Sequence, residues 1–471
     1  MQTTPSKSSK QNSIVYFIGF TAALAGLLFG LDIGVISGAL EFIQKDFSVS
    51  DQTLEWIVSA LLWGAVFGTL VSGILSKQLG RKKTMLLSAL IFALGSLYCS
   101  MSRSANELIA ARFLLGIAVG VASFTAPLYL SEISPQRIRG SMIAMYQLMI
   151  TIGIMLAYFS NMFFGTTVII NQQIGGHWRL MLGVIIFPAL LMFAGMLFLP
   201  ESPRWLFLRG FQKRGVDVFR KMLLPEEEIT SEVAEIKKNL LQKQNGFHLL
   251  LKNSHFRRAI FLGMILQFIQ QLTGINVILY YAPRIFKIAG FASTSGQMWG
   301  TIVIGITNML ATFIAIAFVD KLGRKPIMYA GFTVMGASML TVGTLFNMNL
   351  EQSPVLGYYA ITALLLFMVG FAMSAGPIIW ILCSEIFPLG GRDLGITFST
   401  SANWISNAII GGTFLTMLAK LGSGPTFLLY GGLQVLFVLF FLLFVPETKG
   451  VSLESIERNL LSGEPLRNIG R

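Results

Sequence analysis

Twelve stretches of about twenty or more mostly apolar residues follow one another along the 471-residue chain, at 14–40, 54–76, 84–102, 106–131, 141–164, 178–199, 257–283, 297–319, 326–346, 357–384, 394–419 and 424–445. A helix needs about 20 such residues to cross the hydrocarbon core of a bilayer. The alternative spanning structure, a closed barrel of short alternating strands, has no counterpart in the pattern. Composition agrees, with a mean hydropathy of +0.69 and only 12% charged residues. The 47 glycines and 38 phenylalanines suit closely packed membrane helices. The expected fold is all-α, with twelve transmembrane helices, six before and six after a polar segment at 204–256. No small-residue cleavage pattern follows the first run, so no cleavable leader is expected.

The net charge of +13 is unevenly distributed. With the N-terminus placed in the cytoplasm, 28 of the 35 lysines and arginines fall on the cytoplasmic side. The opposite side holds Lys45, Arg103, Arg179, Arg284, Lys287 and Lys420, and Arg112 lies within a span. This is the positive-inside asymmetry, so both termini are expected in the cytoplasm. The basic balance is a topology signal, and no nucleic-acid partner is expected. Cys99 and Cys383 fall inside spans and read as small packing residues. His177, His248 and His255 lack ligand spacing, so no metal site is expected. A G-x4-G-K-[ST] loop and a catalytic constellation are both missing, which argues against an ATP-driven pump and against an enzyme.

Charged signatures at the edges of the apolar runs occur twice. Leu79-Gly80-Arg81-Lys82 returns as Leu322-Gly323-Arg324-Lys325, the pair Glu132 and Arg139 as Glu385 and Arg392, and Pro200-Glu201 as Pro446-Glu447. The chain therefore divides into an N-terminal tail (1–13), a six-helix bundle (14–203), a linker (204–256), a second six-helix bundle (257–445) and a C-terminal tail (446–471). Such duplication is the architecture of alternating-access transporters. The linker is expected to be helical around 210–223, 226–243 and 246–252, with Glu226, Glu227 and Glu228 in a first turn, where carboxylates suit the helix dipole. The repeated groups, Arg81, Glu132, Arg139 and Glu201 with Arg324, Glu385, Arg392 and Glu447, are expected to form interhelical ion pairs that clamp a cytoplasmic gate in one state. Simple topology determinants are the alternative.

These motifs resemble the sugar porter branch of the major facilitator superfamily over nearly the whole chain. The pentapeptide Pro200-Glu201-Ser202-Pro203-Arg204 is specific to that branch, and Pro446-Glu447-Thr448-Lys449-Gly450, Ala126-Pro127-Leu128-Tyr129-Leu130-Ser131-Glu132 and Gln270-Gln271-Leu272-Thr273-Gly274-Ile275-Asn276 are similar to it as well. One departure is Lys77, where the superfamily's loop motif often has Asp; Asp320 supplies that acid in the second half.

Asp32 and Arg112 are the ionisable residues read as lying well inside spans. A charge at mid-membrane costs roughly 2.5–3.5 kcal/mol on insertion scales, so each needs a partner or a function. Asp32 lies about eight residues (~12 Å) from the outer end of its span and Arg112 about six (~9 Å), so they share a depth. Gly26, Gly30, Gly34 and Gly38 form a smooth stripe, and Asp32 sits roughly 200° around the helix from its neighbours in that stripe, facing away from it. A static ion pair and a proton carrier both fit these residues. The resemblance implies the second, because Asp32 and Arg112 fall on the family's proton-coupling positions.

Sugars are held by amides for their hydroxyls and by aromatic faces for their C–H side. Gln147, Thr151 and Ile154 share a face of the fifth run. The seventh run holds Gln267, Gln270, Gln271, Gly274, Asn276, Tyr280 and Tyr281, with Gly274 expected to loosen the helix. Asn308 lies in the eighth run, Gly376-Pro377 and Trp380 make an expected kink in the tenth, and Asn403, Trp404 and Asn407 lie in the eleventh. Helix–helix adhesion by single amides is the alternative. Without a charge among them, the cargo is expected to be neutral. The resemblance implies that Gln147, Gln270, Gln271, Asn276, Asn308, Trp380, Asn403 and Trp404 bind sugar. It also implies that apolar Ile154, where xylose-selective relatives carry Gln, suits a hexose such as D-galactose or D-glucose. The reading is a hexose–proton symporter of the bacterial inner membrane, working as a monomer in the lipid bilayer, with the proton as coupling ion and no cofactor. A facilitative uniporter, a xylose or arabinose symporter and a sugar sensor are the alternatives.

Overall fold

The computed structural model describes residues 7–134, 139–166, 176–222, 225–241, 246–348, 354–388 and 390–470, with the side chains of 7–16, 139–140, 235, 238–241, 315–321, 354 and 454 set aside. Every regular element among the described residues is a helix. The first six spans are α1 (Lys7–Phe47), α2 (Asp51–Leu79), α3 (Arg81–Met101), α4 (Ala105–Ile133), α5 (Arg139–Thr166) and the pair α6 (His177–Gly183) and α7 (Ile186–Phe198). Four short helices follow, α8 (Pro203–Leu208), α9 (Gln212–Lys221), α10 (Glu226–Leu241) and α11 (Gly246–Lys252). The last six spans are α12 (Ser254–Leu272) with α13 (Ile275–Ile288), α14 (Thr294–Leu322), α15 (Arg324–Phe346), α16 (Pro354–Met373) with α17 (Ala375–Glu385), α18 (Arg392–Gly411) with α19 (Phe414–Leu421), and α20 (Ser423–Phe444). Among the described residues eleven helices are long and apolar enough to cross a membrane, and the bent pair α18 and α19 makes twelve.

The packing repeats as the sequence does. In the first six spans α1 packs on α5, α2 on α4, and α3 on both α4 and α7. In the last six α12 packs on α18, α14 on α16, and α15 on both α16 and α20, the same partners shifted by six spans. The contacts joining the two sets, α2 with α18 and α5 with α14, also exchange under that shift. Large apolar side chains such as Phe187, Phe198, Phe261, Leu436 and Leu443 stand exposed on the outside, as lipid-facing residues do.

Three interruptions of the spans matter for the site, the first two at the glycine and the Gly-Pro pair where a loosening and a kink are expected. The seventh breaks at Gly274, whose φ of +87° is open to a residue without a Cβ. The tenth breaks at Ser374, just before Gly376-Pro377. The eleventh, read from sequence as one helix, bends by 41° between α18 and α19. Outside the spans, α9, α10 and α11 lie where the linker helices are expected, whereas α8 and the tail helix α21 (Leu453–Leu461) are additions. Cys99 and Cys383 are both buried and free, as packing residues are.

The glycine stripe of α1 rests on α5: a Cβ on Gly26 would meet the carbonyl of Tyr146, on Gly30 that of Ile150, and on Gly34 the Cβ of Ala157. At Gly30 the obstruction is backbone, so neither helix yields by a rotamer change. Gly30→Ala is expected to destabilise the protein by about 1–3 kcal/mol, the range for overpacking. Gly73→Ala, where a Cβ meets nothing within 4 Å, is expected to be neutral. Thermal unfolding in detergent checks both.

Candidate functional site

The repeated charges make two matching sets at one end of the bundle. Arg81 grips Glu132 through two bonds, Nε to Oε2 at 2.7 Å and Nη2 to Oε1 at 2.8 Å, and the Ser202 hydroxyl donates to Glu132 Oε2 at 2.5 Å. Arg324 Nη2 likewise donates to Glu385 Oε1 at 2.8 Å, and the Thr448 hydroxyl to Glu385 Oε2 at 2.5 Å. Glu201 accepts the backbone N–H groups of Arg81 and Lys82 at 2.9 and 3.1 Å. Glu447 accepts those of Arg324 and Lys325 at 3.1 and 2.9 Å.

Two of the expected interhelical ion pairs form, Arg81–Glu132 and Arg324–Glu385, while Glu201 and Glu447 take a different part. Glu201 and Glu447 serve as caps for the first turns of α3 and α15, where a carboxylate meets otherwise unpaired N–H groups. The pairs Arg81–Glu132 and Arg324–Glu385 stay within their own six spans and do not bridge the two sets. Arg392 donates to the Phe387 carbonyl at 3.3 Å. The side chains of Arg139 and Asp320 lie outside the described residues.

The two caps differ in charge economy. Burial dominates at Glu201 and raises its pKa above the ordinary glutamate value despite the N–H bonds from Lys82, Ser202 and Arg81. At Glu447 burial also pushes upward, but the N–H groups of Lys325, Lys449, Arg324 and Thr448 outweigh it and the pKa falls. Folded-state Glu447 thus binds a proton less readily than the unfolded chain, so its charge adds stability at neutral pH that is lost as pH drops below the glutamate range. Glu201 has the opposite sign: ionisation costs stability at neutral pH, and acid relieves that cost. Glu447→Gln is therefore expected to lower the unfolding temperature at pH 7 more than Glu201→Gln, and the gap is expected to narrow on acidification. Equal losses at both pH values would refute this.

Within the membrane, Asp32 and Arg112 meet as their depths imply. Arg112 Nη1 donates to Asp32 Oδ1 at 2.6 Å, and each residue is 1% exposed. Asp32 faces α4, opposite the glycine stripe that faces α5. Arg112 continues a line with Gly116 and Gly120 along α2: its Nε lies 3.4 Å from the Ile57 carbonyl, and Cβ atoms on the two glycines would meet the carbonyls of Leu61 and Ala65. Asp32 Oδ2 is buried and has no hydrogen-bond partner among the described residues.

The amides gather around the two breaks of the seventh and tenth spans. Asn403 Nδ2 donates to both Gln267 Oε1 and Gln270 Oε1 at 2.7 Å. Gln270 Nε2 reaches the carbonyls of Ala375 and Gly376, in the first turn of α17, at 2.8 and 3.1 Å. Asn276 Nδ2 donates to Gln271 Oε1 at 2.5 Å, and Asn407 Nδ2 to the Tyr280 hydroxyl at 3.2 Å. Trp404 is buried and stacks edge-on against Phe29 of α1, with centroids 5.3 Å apart. Gln147 and Ile154 are on α5, on the face whose Tyr158 hydroxyl donates across to the Leu279 carbonyl at 3.0 Å. Asn308 is buried on α14, the partner helix of α5. Trp380 is 38% exposed on α17. The cluster has many hydrogen-bonding groups and no formal charge.

A profile of the sugar (and other) transporter family matches residues 18–460. The chain belongs to the sugar transporter family of the major facilitator superfamily. The transporter is 55% identical to the galactose-proton symporter of Escherichia coli K12 and 48% identical to that organism's arabinose-proton symporter, in each case over at least 98% of both chains. Among solved structures, it is similar to a partially occluded inward-open form of the E. coli xylose transporter XylE, with a TM-score of 0.82 and 32% identity, covering 93% of this chain and 100% of that one.

At the other end of the bundle the structure adds residues that the sequence reading passed over. Glu55 of α2 is 3% exposed, and its two oxygens accept the Thr416 backbone N–H at 2.7 Å and the Thr416 hydroxyl at 2.6 Å. Asp51, one turn earlier, takes a bidentate grip from Arg284 of α13 at 2.8 and 2.6 Å. Both link the first six spans to the last six. Their signal was two acids four residues apart at the start of an apolar run, which reads as a solvated helix end.

Proposed function

We propose that this transporter takes up a neutral hexose together with protons across the bacterial inner membrane, by alternating access between two six-helix bundles, 14–203 and 257–445, with both termini cytoplasmic. The end that carries Arg81 and Arg324 is then cytoplasmic, and the end that carries Asp51 and Glu55 is outer. The observation that carries the coupling is the buried Asp32–Arg112 pair. A proton arriving from outside neutralises Asp32, removes its attraction for Arg112 and frees the bundles to rock. Down 100 mV a single proton releases about 2.3 kcal/mol, which supports roughly a fifty-fold sugar gradient.

Sugar binding is assigned to Gln147, Gln270, Gln271, Asn276, Asn308, Trp380, Asn403 and Trp404. The uncharged amide cluster fits a neutral cargo, and apolar Ile154 fits a hexose. The 55% identical relative is named for galactose, which makes D-galactose the first candidate, with D-glucose next. The 48% identical relative, named for arabinose, favours a pentose as the second reading.

Purified protein in liposomes tests these assignments. Labelled galactose is expected to accumulate uphill only under an inward proton gradient. Asp32→Asn is expected to abolish that accumulation while leaving sugar binding intact; undiminished accumulation would end the symport reading. Ile154→Gln is expected to raise xylose uptake relative to galactose uptake, measured by competition in the same vesicles.

A further inference from the structure

We infer that Glu55 is the latch of the outer gate, holding the protein in its outward-closed form by binding the first turn of α19. The inference rests on the alternating-access reading and names the residue that such a cycle must release at its outer end.

A helix begins with N–H groups that have no partner inside it. In a membrane such groups need a partner from elsewhere. The 41° bend between α18 and α19 creates a fresh helix start inside the eleventh span, with Thr413 as its N-cap. Glu55, from the opposite set of spans, supplies the missing acceptor through the Thr416 N–H and takes the Thr416 hydroxyl as well. The carboxylate also lies at the positive end of the α19 dipole. Asp51 lies on the same face of α2 one turn away and crosses to Arg284, so the first two turns of α2 present two acids to the other half.

The two links are not equal. Asp51 and Arg284 are about one-third exposed, so water and salt screen their attraction. Glu55 is almost fully buried, and charge-assisted bonds are strongest where water is excluded. Closure therefore depends chiefly on Glu55. Beside these links a cavity of about 380 Å³ is lined from both halves, by Ser37 and Leu54 of the first and by Tyr281, Arg284, Gln297 and Leu415 of the second. Ser37 is buried within it, so its accessibility reports whether the latch is open.

The test uses the full-length protein with Ser37→Cys, in membrane vesicles of known orientation. The natural thiols Cys99 and Cys383 are buried and give a low background. A membrane-impermeant maleimide applied from the outer side is expected to label Ser37→Cys slowly. Adding Glu55→Ala is expected to raise the rate about tenfold or more, and Thr416→Val, which removes one of the two bonds, about threefold. Glu55→Gln keeps an acceptor for the Thr416 N–H but loses the charge, and is expected to label at a rate between those of the parent and Glu55→Ala. Unfolding temperature and galactose binding are measured on each variant. Unchanged labelling in folded Glu55→Ala overturns the latch. If Glu55→Ala does not fold, unchanged labelling in Thr416→Val overturns it. Acceleration seen only from the opposite side of the membrane supports the latch and overturns the proposed topology.

Discussion

A peptide group inside a bilayer has no water to bond, so each break in a spanning helix has to be repaired by side chains. Much of the polar chemistry of the last six spans follows from this constraint. Gln434 donates to the Thr273 carbonyl at the break between α12 and α13. Gln270 donates to the Ala375 and Gly376 carbonyls beside the break between α16 and α17. The Tyr281 hydroxyl takes the Gly411 carbonyl at the end of α18, and Glu55 takes the Thr416 N–H at the start of α19. The amides clustered at these breaks are thus also the groups that stabilise the interrupted helices around them. Gln270 acts as interhelical adhesion, one of the alternatives on sequence grounds: its side chain joins Asn403 to α17.

The first six spans treat the same constraint differently. α1, α2 and α4 run unbroken, and glycines bring their backbones together along α1–α5 and α2–α4. Such tight packing favours small polar side chains such as Thr69, Ser88 and Thr125, and the ion pair buried at depth among these helices is Asp32–Arg112. That pair is held between the continuous helices α1 and α4, and most of the clustered amides lie in the interrupted set. In the symport reading, the proton and the sugar therefore act on different parts of the molecule and meet through the relative motion of the two.

How far these features were legible depended on whether they were written in residue type or in three-dimensional neighbourhood. The spans, the Asp32–Arg112 depth match and the stripe from Gly26 to Gly38 follow from hydropathy and helical geometry, and all appear in the structure. The interruptions at Gly274 and before Gly376-Pro377 carry the residues that break helices. The bend after Gly411 carries a weaker mark, glycines inside an otherwise helical pattern, and was read through. Glu201 and Glu447 recur with the right spacing for ion pairs, but spacing does not say whether a carboxylate faces a guanidinium or the end of a helix. Glu55 was missed for a similar reason: its burial comes from α19, which is distant in sequence.

The placement of the charges also assigns mechanical roles. Glu132, Glu201, Glu385 and Glu447 each bond within their own six spans, joining span three to span four and to the segment after span six, and likewise nine to ten and to the segment after twelve. Bonds of this kind stiffen each half without tying one to the other. Glu55 and Asp51, at the opposite end, reach across. A rocking mechanism needs this division, because a bond within a half survives the motion and a bond between halves has to break. The doubled signature is therefore repeated between the halves as internal bracing, and the cross-links that open and close belong to residues that the repeat does not contain: Asp51 and Glu55 of α2 have no acidic counterparts at Thr294 and Met298, the matching positions of α14.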